Sequence, residues 1–107
     1  MVRRQSETDT IGFALRDFVA KRGAMPTAKP RVTDIDFDFD FDGSGELAVM
    51  VRVVLAKDTP ETQWTNQQLV PLSRAIRDLI AELGIQLSVH VWYERESTAP
   101  KRGKRQR

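Results

Sequence analysis

Carboxylates recur at every second position from Asp34 through Asp36, Asp38 and Asp40 to Asp42, and Ile35, Phe37, Phe39 and Phe41 fill the gaps. Clustered carboxylate oxygens are the ligands hard divalent cations prefer, and in Asp38-x-Asp40-x-Asp42-Gly43 a glycine stands where a ligand loop would turn sharply. Asp38, Asp40 and Asp42 are therefore candidate metal ligands. His90, the only histidine, could form an acid–base couple with an aspartate. No cysteine is present, which removes disulfides, thiol catalysis and cysteine-ligated zinc.

The Asp38 to Gly43 run resembles the opening half of an EF-hand calcium loop, although Val49 stands where that loop carries its bidentate acid. Thr33-Asp34-Ile35-Asp36 is similar to the paired-aspartate strand of minimal nucleotidyltransferases, in which two carboxylates hold catalytic metals. The Gly-Ser turn of that family has no counterpart here, because Arg22-Gly23-Ala24 supplies no serine. Neither a nucleophile nor an oxyanion nest accompanies His90. The expectation is a non-enzymatic chain without a cofactor.

Strict alternation of acid and apolar residue has one structural meaning. A pleated strand sends alternate side chains to opposite faces, so residues 34–42 predict a strand with an apolar side and an acidic side. Leu47, Val49, Val51, Val53 and Leu55 continue the period of two, and Gly43-Ser44-Gly45 supplies a three-residue hairpin with glycine at the left-handed position. In the register that aligns the apolar faces, Phe39 opposes Val49, Phe37 opposes Val51 and Asp36 opposes Arg52. Neighbouring aspartates then lie roughly 7 Å apart and repel by only about 0.6 kcal/mol in water, so the row is tolerable if it stays solvated. Leu87, Val89, Val91 and Tyr93 alternate with Ser88, His90, Trp92 and Glu94 as a third strand. Parity thus assigns Asp36, Asp38, Asp40, Met50, Arg52, Val54, His90 and Trp92 to one open face, the candidate partner-binding surface.

Helices must cover the other face. Ile11, Ala14, Leu15, Phe18 and Val19 follow a cap-like Thr8-Asp9-Thr10 at helical spacing and stop at Gly23. Leu69, Leu72, Ile76, Leu79, Ile80 and Leu83 make the stripe of a longer helix ending at Gly84, with starts competing at Thr59-Pro60 and Thr65. Pro71 inside it predicts a lost hydrogen bond. The fold class expected is α+β: a two-layer sandwich of order α-β-β-α-β, with a three-stranded, mainly antiparallel sheet and one long helix packed on it. Residues 1–94 form the single domain, with 1–8 flexible and 24–31 an extended connector, and 95–107 form a disordered basic tail.

Charge is strongly segregated. Residues 34–46 carry six acids and no base, whereas the last seven residues carry five bases, and without these the formal charge of +2 becomes −3. The basic balance therefore belongs to Lys101, Arg102, Lys104, Arg105 and Arg107, which could touch RNA or DNA without sequence preference. No window approaches the roughly 18 apolar residues of a membrane span, so a soluble, cytoplasmic protein with no membrane partner is expected. The element order resembles the type II KH-like fold of bacterial ribosome-maturation factors, which implies RNA association. No GXXG loop occurs, so no RNA-binding residue carries over. The leading expectation is a small bacterial accessory module that binds another protein, or itself as a homo-oligomer, through its open sheet face or an edge strand. The alternatives are an RNA- or ribosome-associated factor using the basic tail and a divalent-metal-binding hairpin.

Overall fold

The computed structural model describes residues 2–25 and 27–97. Its elements run α1 (Val2–Gly23), β1 (Val32–Phe41), β2 (Leu47–Leu55), a 3-10 turn (Glu61–Gln63), α2 (Asn66–Glu82) and β3 (Ser88–Arg95). The three strands form one sheet in the order β1-β2-β3.

The hairpin follows the residue pattern closely. β1 and β2 pair antiparallel with Phe39 opposite Val49, Phe37 opposite Val51 and Asp36 opposite Arg52. Asp42 N donates to Glu46 O and Gly45 N to Asp42 O, which closes the three-residue turn, and Gly45 takes a φ of 86° that side chains resist. A bulge between Val32 and Asp34 leaves Thr33 unpaired in the ladder, and its hydroxyl donates to Val54 O.

The sheet is mixed, which corrects the mainly antiparallel expectation: β3 pairs parallel to β2, with Val51 beside Val91 and Arg52 beside Trp92. α2 is the reason. A helix of 17 residues carries the chain back along the sheet, so the next strand enters in the direction of β2 as a crossover unit.

Both helices pack on the apolar face, rather than one long helix alone. Ile11 and Leu15 of α1 and Leu72, Ile76 and Ile80 of α2 join Ile35, Val49, Val51, Val53 and Leu55 in a single buried core. α1 extends back to Val2, so Thr8-Asp9-Thr10 lies inside the helix rather than at its start. Gly12 faces the Phe37 ring, placing α1 over β1, and Arg22 Nη2 donates to Pro30 O where the connector turns back. Phe41 departs from the expected core. It is 65% exposed at the hairpin end of β1 and lies outside the core cluster.

Of the two possible helix starts, Thr65 caps α2, accepting from Gln68 N, while Thr59-Pro60 leads into the separate 3-10 turn. Pro71 sits in the second turn of α2 with its ring exposed. Tyr93 ties β3 to this helix: its hydroxyl meets Ser73 Oγ at 2.7 Å and donates to Leu69 O. Burial raises the Tyr93 pKa and lowers that of Arg22.

The third strand runs one residue past the expected boundary. Arg95 pairs with Leu55, donates to the carbonyls of Lys57 and Thr59, and lies 5.1 Å over the Trp64 ring, while Glu96 N donates to Leu55 O. Lys101, Arg102, Lys104, Arg105 and Arg107, the expected nucleic-acid contacts, lie outside the described residues. No helix among the described residues is long and apolar enough to cross a membrane.

Candidate functional site

Placing both helices on one side leaves the other side of the sheet open. Beyond the Val32–Asp34 bulge, even-numbered strand residues face outward, so Asp34, Asp36, Asp38 and Asp40 of β1, Met50, Arg52 and Val54 of β2, and His90, Trp92 and Glu94 of β3 share one surface. The eight residues that parity assigned to this face do come together. Val54 offers a partner little, since it is only 9% exposed on the central strand, and Met50 is half-buried. Trp92 is 43% exposed, a large aromatic surface in a charged setting.

Arg52 organises the centre of the face. Its guanidinium meets Asp36 through Nε to Oδ1 at 3.3 Å and Nη2 to Oδ2 at 2.7 Å, and Nη1 donates to Glu94 Oε1 at 3.0 Å. One cation on the central strand therefore bridges anions on both edge strands, in a fork geometry that a lysine could not reproduce. The hydrogen bonds that Arg52 donates to Asp36 drive its pKa upward against the opposing effect of burial. The other Glu94 oxygen accepts from Trp92 Nε1 at 2.9 Å, and these Trp92 and Arg52 bonds hold the Glu94 carboxyl below its ordinary value. Glu94 thereby fixes the ring that is the face's main apolar feature. Sequence reasoning placed Glu94 on this face without giving it a role, because its pairing with Arg52 depends on β3 lying parallel beside β2.

The remaining aspartates behave differently. Asp34 Oδ1 accepts from Ile35 N, Asp38 Oδ1 from Phe39 N and Asp40 Oδ1 from Phe41 N, each at 2.8 to 2.9 Å. Each of these carboxylates uses one oxygen on its own backbone. Among the described residues, Asp34, Asp38 and Asp40 form no ion pair. They make a row of net negative charge along β1.

Asp42, the third candidate metal ligand, is committed to the turn. Its Oδ1 accepts from Ser44 N, Ser44 Oγ and Glu46 N, and Oδ2 lies 3.6 Å from His90 Nε2. The Ser44 hydroxyl, then the Glu46 amide, lower its pKa. Asp38, Asp40 and Asp42 are thus spread along a strand and a turn, and no cluster of three or more potential ligands forms among the described residues. Asp36, the second aspartate of the Asp34/Asp36 pair, is likewise committed to Arg52. His90 meets Asp42 at the hairpin end and stands apart from the Arg52 cluster.

No protein family matches the chain, and comparisons with curated proteins and with solved structures find no match. The site's own chemistry is what bears on function.

Proposed function

We propose that the chain is a small, non-enzymatic protein-docking module that receives an extended, cationic segment of a partner protein on its outer sheet face. The observation that carries the reading is the asymmetry of the face: Arg52 is already neutralised by Asp36 and Glu94, whereas Asp34, Asp38 and Asp40 pair with no cation among the described residues. Burying these charges unpaired would be costly, but a facing Lys or Arg satisfies the second oxygen of each carboxylate. The acidic spacing of about 7 Å matches that of alternate side chains in an extended peptide. Trp92, pinned by Glu94, supplies an ordered aromatic anchor at the far side of the face.

Calorimetric titration with an extended peptide alternating Lys and small residues tests this, with an alternating Glu peptide as control. The cationic peptide is expected to bind saturably, with affinity falling about tenfold on raising salt from low to near-molar concentration. The Asp38→Asn, Asp40→Asn double variant removes both charges and keeps both backbone acceptors, so it is expected to abolish binding without altering the fold. Equal binding by the variant, or no preference between the two peptides, would refute the reading.

A further inference from the structure

The two edges of the sheet are not equivalent. In β1 the Asp42–Glu46 closure sets the even residues as the hydrogen-bonded partners of β2, so the amides of the odd residues point to the free edge. Three of those outward amides, at Ile35, Phe39 and Phe41, are taken by the carboxylate of the preceding aspartate. The acidic row therefore blunts the β1 edge against an added strand.

In β3 the bond from Glu96 N to Leu55 O sets the even residues toward β2, so Val89, Val91, Tyr93 and Arg95 present their backbone groups outward. Arg77 Nε reaches from α2 to Val89 O at 3.2 Å, which confirms the direction of that carbonyl. The outward groups of Val91 and Tyr93 have no partner among the described residues. This edge is open.

The side chains of β3 are also complementary to their own reverse. Antiparallel pairing of two β3 strands with Trp92 on the two-fold axis matches the outward-pointing residues, Val91 of each copy exchanging backbone bonds with Tyr93 of the other. On the open face Trp92 meets Trp92 of the second copy at the close, non-hydrogen-bonded spacing, and His90 opposes Glu94 of the second copy. On the helical face the half-buried side chains of Val91 and Tyr93 meet. We propose that β3 is a self-association edge: two copies join antiparallel about Trp92 into one continuous sheet of three strands from each. The β1 edges, blunted by their aspartates, then form both ends, so assembly is expected to stop at the dimer. Arg77 guards the edge and leaves Val89 O when the second copy arrives.

Sedimentation equilibrium of the full chain over a wide concentration range tests this. The expected result is reversible association to twice the 12.2 kDa monomer mass. Trp92→Lys, which puts two like charges face to face at the axis, is expected to weaken the dimer about tenfold or more. Val91→Pro, which removes an outward donor and leaves the ladder to β2 intact, is expected to abolish it. Arg77→Ala is expected to tighten it. A monomer at every concentration, or a dimer indifferent to Trp92→Lys, overturns the proposal. Circular dichroism reports whether Val91→Pro folds, and if it does not, Trp92→Lys alone decides. The inference does not depend on peptide docking, which is measured separately at concentrations where the chain is monomeric.

Discussion

Arg52 shows how much one side chain can decide on an exposed sheet. Its guanidinium ties three strands through two carboxylates, but each bond faces solvent, where a pair contributes at most about 1 kcal/mol. Replacing Arg52 with Met preserves the aliphatic stem over the sheet and leaves Asp36 and Glu94 facing each other unneutralised. Urea denaturation is expected to show a loss of about 1 kcal/mol that shrinks in high salt. Glu94 gives a pH signature. Its carboxyl is held below the ordinary glutamate value, so the stability it contributes is complete above that value and disappears as pH falls through the lowered one. The difference between wild type and Glu94→Gln is therefore expected to be constant near neutrality, about 0.5 kcal/mol after screening, and to vanish in acid. A difference that grows on acidification would show that the Trp92 and Arg52 bonds do not stabilise the charged form. The opposition of Asp36 and Arg52 was legible from hairpin parity. The link from Arg52 to Glu94 was not, since parity names the face of a residue and not the strand beside it.

The helices show where local signals compete. Thr65 and Thr59 both read as caps, and Thr65 won because the apolar stripe that can reach the sheet begins directly after it. At α1 the opposite happened: Thr8-Asp9-Thr10 looked like a start, yet the helix runs through it because residues before it continue the hydrogen-bonded turns. Gly12 lies mid-helix and its absent Cβ would sit 3.7 Å from the Phe37 ring, an ordinary contact. Gly12→Ala is therefore expected to stabilise the fold by about 0.8 kcal/mol, from reduced freedom of the unfolded chain and added packing. Thermal and urea unfolding would register the gain, and a loss would mean that the methyl group does not fit between α1 and the Phe37 ring. Phe41 was read as core from its period alone. Periodicity gives the side of the sheet, and only the reach of the helical layer determines whether that side is covered.

For the molecule as a whole, the docking and edge-protection roles proposed for one acidic row can be separated. Much of the architecture was legible: the element order, the hairpin register and the eight-residue face all follow from periods of 2 and 3.6. The parallel placement of β3 was carried by a signal of another kind, the long helix between β2 and β3, which obliges a crossover. That placement makes β1 and β3 the two edges, and the edges are where assembly is decided. At Asp38 and Asp40 the proposed docking role uses the charge, while Oδ1 occupies an edge amide. Asparagine removes the first role and retains the second; alanine removes both. The Asp34→Ala, Asp38→Ala, Asp40→Ala variant frees the Ile35, Phe39 and Phe41 amides on an edge that also presents exposed Phe41. With β3 open at one edge and β1 newly open at the other, nothing stops the sheet from extending. Light scattering is expected to show the alanine variant growing beyond the dimer with concentration, while the matching asparagine variant stays at the wild-type mass. If both variants aggregate equally, loss of negative charge rather than loss of the amide caps is the cause, and the carboxylates protect β1 by repulsion alone.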